Sequence, residues 1–254
     1  MLFIRSTLSS ICVLALSSTI LFGQAQNRPK EINKQEQVWV SINNTIRISN
    51  KWGFIADLHE RRNNFLKDQN FLFTRVGANY WLKDNITAGA GYGHLWLSAT
   101  TPGWKTIAKE NRLYQQIQMN SKTGAINIVQ RLRNEERWQQ KIADDKFTGD
   151  YKFTNRVRYL LSASIPFSKK KGYPSLVVSD ELCIQFGKEV VYNTFDQNRL
   201  FIGIKQKLTK DFSFDLGYMQ VKQQKASGYQ YDLNNTLRCF LYYTPDLRKK
   251  NAMH

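Results

Sequence analysis

From Tyr151 to Phe167 the chain reads YKFTNRVRYLLSASIPF, and taking every second residue sorts it into two lists. Tyr151, Phe153, Val157, Tyr159, Leu161, Ala163, Ile165 and Phe167 form an apolar set broken only at Asn155. Lys152, Thr154, Arg156, Arg158, Ser162 and Ser164 form a polar set in which Leu160 is the exception. A period of two marks a β-strand, because successive side chains leave a pleated backbone on opposite faces. The stretch is longer than the ~5–6 residues of an ordinary strand. It also exceeds the ~9–11 residues that cross a bilayer at a tilt.

The pattern recurs near 37–49, 52–63, 70–82, 86–98, 110–120, 124–139, 150–167, 175–187, 196–208, 212–225 and 229–243. Trp52, Phe54, Ala56 and Leu58 alternate with Asp57, His59 and Arg61; Leu200, Ile202, Ile204 and Leu208 alternate with Arg199, Lys205 and Lys207. Asp180 interrupts the apolar set of the eighth stretch. Short turns at Asn50-Lys51, Lys83 to Asn85, Ser121 to Thr123 and Thr209 to Asp211 take turns with longer polar links at 64–69, 99–109, 140–149 and 188–195. Short turns on one rim and long loops on the other are the habit of outer-membrane barrels. The expectation is an all-β fold, a transmembrane up-and-down antiparallel β-barrel. Single-chain bacterial barrels favour even strand numbers, so the eleven stretches imply about 12 strands, within a span of roughly 10–12.

Polarity at the N-terminus adds a location. Arg5 precedes a Leu/Ile/Ala/Val/Ser run from Thr7 to Phe22, and Gly23-Gln24-Ala25 offers a cleavage site, so residues 1–25 read as a secretory signal peptide. Residues 26–36 form an N-terminal lead-in, 37–243 the barrel and 244–254 a C-terminal tail. Past the leader no run of ~18 apolar residues remains to form a membrane helix. The low mean hydropathy agrees with a barrel, because half of each strand faces a polar interior. The expected location is the cell outer membrane, with outer-membrane lipid and lipopolysaccharide as surroundings. The net charge is +17 and the leader holds only Arg5 of it, which favours anionic partners: acidic lipid or lipopolysaccharide phosphates, or small anionic solutes; export argues against nucleic acid. Cys183 and Cys239 fall on opposite faces, so a disulfide between them is not expected.

If the apolar half faces outward, the other half lines a lumen. That half holds Asp57, His59, Arg61, Arg75, Arg112, Arg131, Arg133, Glu135, Arg137, Lys152, Arg156, Arg158, Glu181, Arg199, Lys205, Lys207, Asp232 and Arg238, with Gln116 and Gln118 beside them. Guanidinium–carboxylate pairing would make so much enclosed charge tolerable, and rings of Arg or Lys would select anions. Aromatic residues cluster near the strand ends, where amphipathic rings meet the headgroup level: Trp52, Tyr80, Trp96, Tyr151, Tyr229 and Tyr243, and with them Trp39, Trp81, Trp138, Tyr218, Tyr231 and Tyr242. His59 and His94 are the histidines a Ser–His hydrolase could use, but no G-x-S-x-G accompanies them. No metal-ligand spacing occurs, and the alternating glycines of GAGYGH read as room inside the lumen rather than as a phosphate loop, so no catalytic set, metal or cofactor is assigned.

The Trp-led QVWVSINNTIRIS at 37–49, NKWGFIADLHERRN at 51–64, the hairpin FTRVGANYWLKDNITAGAGY at 73–92 and the Arg-rich RLRNEERW at 131–138 resemble an uncharacterised family of exported proteins in Gram-negative bacteria, DUF2490-like in pattern. The likeness spans roughly residues 37–243 and implies an outer-membrane barrel without an assigned activity. Barrels commonly end on an aromatic residue, whereas here TPDLRKKNAMH follows Tyr243. The expected role is a structural barrel or narrow channel with an Arg-rich lumen. The alternatives are a lipid- or lipopolysaccharide-directed hydrolase and a soluble periplasmic ligand-binding barrel.

Overall fold

A computed structural model describes residues 29–99, 101–168, 170 and 172–248. The expected leader and the end of the expected tail lie outside these residues. Among the described residues eleven strands follow one another: β1 (Glu31–Arg47), β2 (Trp52–Asn63), β3 (Asp68–Lys83), β4 (Ile86–Leu97), β5 (Ala108–Thr123), β6 (Ile126–Ala143), β7 (Lys146–Pro166), β8 (Ser175–Phe186), β9 (Phe195–Lys207), β10 (Phe212–Gln224) and β11 (Gln230–Tyr243). Each pairs antiparallel with its chain neighbour, and β1 pairs with β11, closing a barrel.

The closure sets the strand number at eleven, inside the expected span of roughly 10–12. With an odd number of alternating strands the first and last run the same way, so the seam has to be parallel. It runs in unbroken register from Glu31 opposite Gln230 to Asn44 opposite Tyr243. No twelfth strand is needed, and the sheet is antiparallel everywhere except at this seam. The first residues after it extend the seam: Arg47 N–H donates to Pro245 O (3.1 Å) and Leu247 N–H to Arg47 O (2.8 Å). Full closure leaves no open edge on which another chain could pair.

Two boundaries differ from the sequence reading. β1 starts at Glu31, inside the expected lead-in, because its polar first residues are recruited by backbone bonds to β11. The expected link at 140–149 is mostly strand, since β6 and β7 continue to a tight turn at Asp144-Asp145, both with positive φ (48° and 55°). That is the conformation two-residue hairpin turns demand, and Asp tolerates it better than most residues. Asp145 also fastens the neighbouring loop, accepting from the amides of Lys105 (2.9 Å) and Thr106 (2.7 Å). The Thr106 amide bond is the chief reason its carboxyl is held below the ordinary carboxylate range.

Side chains alternate across the wall as the period of two requires. Outward go Leu161, Ile202, Leu216 and Leu237; inward go Arg133, Glu135, Arg156, Arg158 and Glu181. Asp180, the flaw in the eighth stretch, faces outward and is paired across β8–β9 by the Asn198 amide (2.6 Å). The interior also holds an apolar cluster of Trp39, Val177, Phe201, Met219 and Val221, with Phe240 against it, on the β8–β11 side and across the seam. Glycines make space for large inward rings. A Cβ on Gly93 would lie 2.6 Å from the Phe73 ring, and one on Gly91 would lie 2.8 Å from the Tyr114 hydroxyl.

The parallel seam is testable with a cysteine the chain already has. Val40 stands opposite Cys239 across β1–β11, both on the outer face, and Cys239 is free. Val40→Cys should form a disulfide on mild oxidation, seen as a mobility change on non-reducing gels, and Cys239→Ser in the same background should abolish it. A Val40→Cys protein that stays reduced would mean that β1 and β11 do not adjoin.

Candidate functional site

The inward face of β5 to β9 carries acids and guanidiniums on successive strands, and barrel register brings them side by side. On β6 and β7, Glu135 lies opposite Arg156 and Arg133 opposite Arg158; on β8 and β9, Glu181 lies opposite Arg199. Glu135 accepts from Arg156 by two bonds, one of them from Nε at 2.9 Å, and from Arg158 Nη1 at 2.6 Å. Arg158 reaches on to Glu181 with Nη2 (2.7 Å), and the same carboxylate binds Arg131 (2.9 Å) and Arg199 (2.8 Å). Arg156 also holds Asp196 at 3.0 Å. Glu110 takes Arg112 and Arg137 together, and Arg112 links it to Glu135 at 3.8 Å. Arg133 forks onto Gln116 Oε1 with Nε (3.0 Å) and Nη2 (2.6 Å), 3.6 Å from Glu135.

These contacts join into one lattice whose central members have almost no accessible surface, while Arg131 and Arg137 at its margins are partly exposed. Glu110, Glu135 and Arg156 are 1%, 2% and 3% exposed. A side chain lining an open pore would be wetted by it, so these values mean that the lumen is packed shut at this level. Two smaller pairs stand apart. Arg75 pairs with Asp57 across β2–β3 and lies over the Tyr114 ring, 5.2 Å from its centroid. Arg238 pairs with Asp215 (2.8 Å), which also accepts from the Tyr242 hydroxyl (2.6 Å).

Between the lattice and the short-turn rim the lumen opens into a cavity of about 740 Å3. Its wall includes Asp57, His59, Arg61, Arg75, Arg112, Arg131, Arg133, Arg158, Glu181, Arg199, Lys205 and Arg238, and it reaches Asn120, Lys207 and Thr244 at that rim. Glu135 and Arg156 sit beyond its head, inside the lattice. Asp232 lies at the long-loop end of β11, held by Lys225 (3.4 Å) and Asn33. Arg61 is clamped between rings, its guanidinium 3.2 Å from the Trp39 centroid and 4.3 Å from that of Phe71.

Of the aromatic residues, Trp52 packs edge-on against Tyr80 (4.9 Å) at the short-turn rim, where Tyr243 also lies. Trp96, Tyr151 and Tyr229 stand towards the long-loop rim. Trp39, Trp81 and Tyr242 instead line the lumen, and Tyr231 is buried beside Phe195 and Asn193. Their nearness to strand ends pointed to a girdle, but their parity turns the first three inward. His94 shares Asn111 Oδ1 (2.7 Å) with Tyr92, and His59 packs on Phe73 and Phe240.

Three carboxylates escaped the sequence reading. Glu110 stands at the first position of the expected stretch 110–120, and its parity with Arg112 is the signal that places it inward. Asp215 shares its inward face with Met219 and Val221, so β10 offers no polar stripe to reveal it. Asp196 was illegible, because a β-bulge puts it and Gln197 on the same face.

The family profile described as "Protein of unknown function (DUF2490)" matches residues 36–235. No curated protein and no solved structure gives a significant match.

The lattice makes a sharp distinction between carboxylates. Glu135→Gln would strand Arg156 and Arg158 without their shared counter-charge and should destabilise the barrel by about 3–5 kcal/mol. Glu60→Gln, which removes the exposed partner of Arg62 on the outer face, should cost at most ~1 kcal/mol. Urea midpoints of the two variants, measured in detergent, check this; equal midpoints would deny the lattice its structural part.

Proposed function

Because the chain belongs to the DUF2490 family of proteins of unknown function, with a closed barrel and an Arg-rich lumen, we propose that it is an outer-membrane barrel acting as a structural element or narrow, normally closed channel. The observation that carries this reading is polarity turned inside out. Leu161, Ile202 and Leu237 are 46%, 50% and 43% exposed on the outer face, while the charged groups are enclosed. Water around such a wall would be costly at ~25 cal/mol per Å2 of apolar surface; acyl chains carry no such cost.

The dimensions agree. Along β9 and the residue that follows it, the outward apolar positions run from Leu200 to Leu208, interrupted only at Gln206. At ~3.3 Å per residue and a tilt of ~40° these eight rises span roughly 20 Å, comparable with the ~25 Å apolar band of known barrels. Trp52, Tyr80 and Tyr243 at one end and Trp96, Tyr151 and Tyr229 at the other serve as interfacial belts, amid lipid and lipopolysaccharide. Nearer the long-loop rim the outer face turns polar, with Glu60–Arg62 and the Gln115–Asn134–Glu136 cluster. If the short turns face the periplasm, as is usual, the cavity opens to the periplasm.

Cell fractionation and bilayer recording test this. The protein should stay in the membrane pellet through high salt and carbonate and leave it only with detergent; release by salt would instead favour a soluble barrel. Reconstituted in planar bilayers, it should show no steady large conductance. A persistent open current would reject the closed lumen.

A further inference from the structure

The lumen holds more positive charge than its carboxylates neutralise, and the surplus converges at the head of the cavity. Seven guanidiniums in the lattice share four carboxylates. From the opposite wall Arg61 adds an eighth. Among the described residues it has no carboxylate partner, only the rings of Trp39 and Phe71. The charges that bear on it most strongly are those of four of the seven lattice guanidiniums, on Arg199, Arg112, Arg158 and Arg156. Arg199 lies against the same indole, 5.3 Å from its centroid. Two residues from Arg61, on the same inward face, His59 Nε2 is buried without a hydrogen-bond partner, as is Arg158 Nε.

Like charges gathered away from water repel strongly unless a counter-charge stands among them, and buried N–H groups without acceptors are costly. A polyvalent oxyanion answers both demands, because it brings more than one negative charge and acceptor atoms in several directions. Chloride offers no directed acceptors and a monocarboxylate only a planar pair, whereas these donors approach from β2, β7 and β9. The cavity leading to them, at about 740 Å3, is large enough for a small organic molecule carrying the anion. Resting on the closed-lumen reading above, we propose that the head of the cavity is a binding site for a polyvalent oxyanion. The chemistry fits inorganic phosphate or the phosphoryl group of a small soluble ester, held by Arg61, Arg158 and Arg199.

Equilibrium dialysis of the detergent-solubilised full barrel against radiolabelled inorganic phosphate tests the site. The expected result is saturable retention of about one phosphate per barrel, displaced by sulfate and by glycerol 3-phosphate but not by acetate or chloride at equal ionic strength. Displacement by glycerol 3-phosphate at lower concentration than by phosphate would assign the site to an ester, and the reverse order to the free ion. Arg61→Gln should weaken retention at least tenfold, while Arg62→Gln, on the outer face, should leave it unchanged. Should Arg61→Gln fail to fold, the unmodified barrel still decides: absent or unsaturable retention, or equal displacement by chloride, overturns the site. No retention in a barrel that conducts nothing removes the site and leaves the closed barrel standing. Retention together with a steady current keeps the site and removes the closure.

Discussion

Charge pairing inside a closed sheet is the constraint on which this barrel depends. A guanidinium enclosed without water is tolerated only where carboxylates or other acceptors meet its donors, and here Glu110, Glu135 and Glu181 each serve two or more arginines at once. Sharing is possible because barrel register sets acids and bases on neighbouring strands at the same height. Glu135 reaches arginines on its own strand and on both neighbours, so a slip of β6 against β7 would separate the charges and also turn the apolar set inward. The lattice therefore specifies register and fills the lumen together.

The interior is not uniform. Packed ions occupy the region towards the long-loop rim, and a cationic cavity the region towards the short turns. An apolar cluster at the seam side spares β8 to β11 the need for further pairing, and the Gly91 and Gly93 positions of β4 let Tyr114 and Phe73 lie across the lumen. Rings then serve as supports for cations: Arg61 on Trp39, Arg112 near Phe73 and Arg133 near Tyr114. Such contacts hold guanidiniums in place without neutralising them, which leaves the net positive field at the cavity head.

Much of this was legible along the chain. The alternation at 151–167 and its repeats located all eleven strands, and parity alone turned Arg133, Glu135, Arg156, Arg158 and Glu181 inward. Parity failed where geometry broke the period, at the bulge that brings Asp196 to Arg156, and where an inner face was apolar, as around Asp215. The polar run at 31–36 carried no strand signal, because its place in the sheet comes from β11, about two hundred residues away.

By itself the sequence determined the outward-apolar, inward-charged polarity and the rough positions of the strands, since both follow from local periodicity. Which charges meet, where the lumen is shut and how the barrel closes were decided only by the tertiary structure. Each of these depends on register between segments distant in the chain, and on the fact that an odd number of alternating strands can be joined into a cylinder only by one parallel pair.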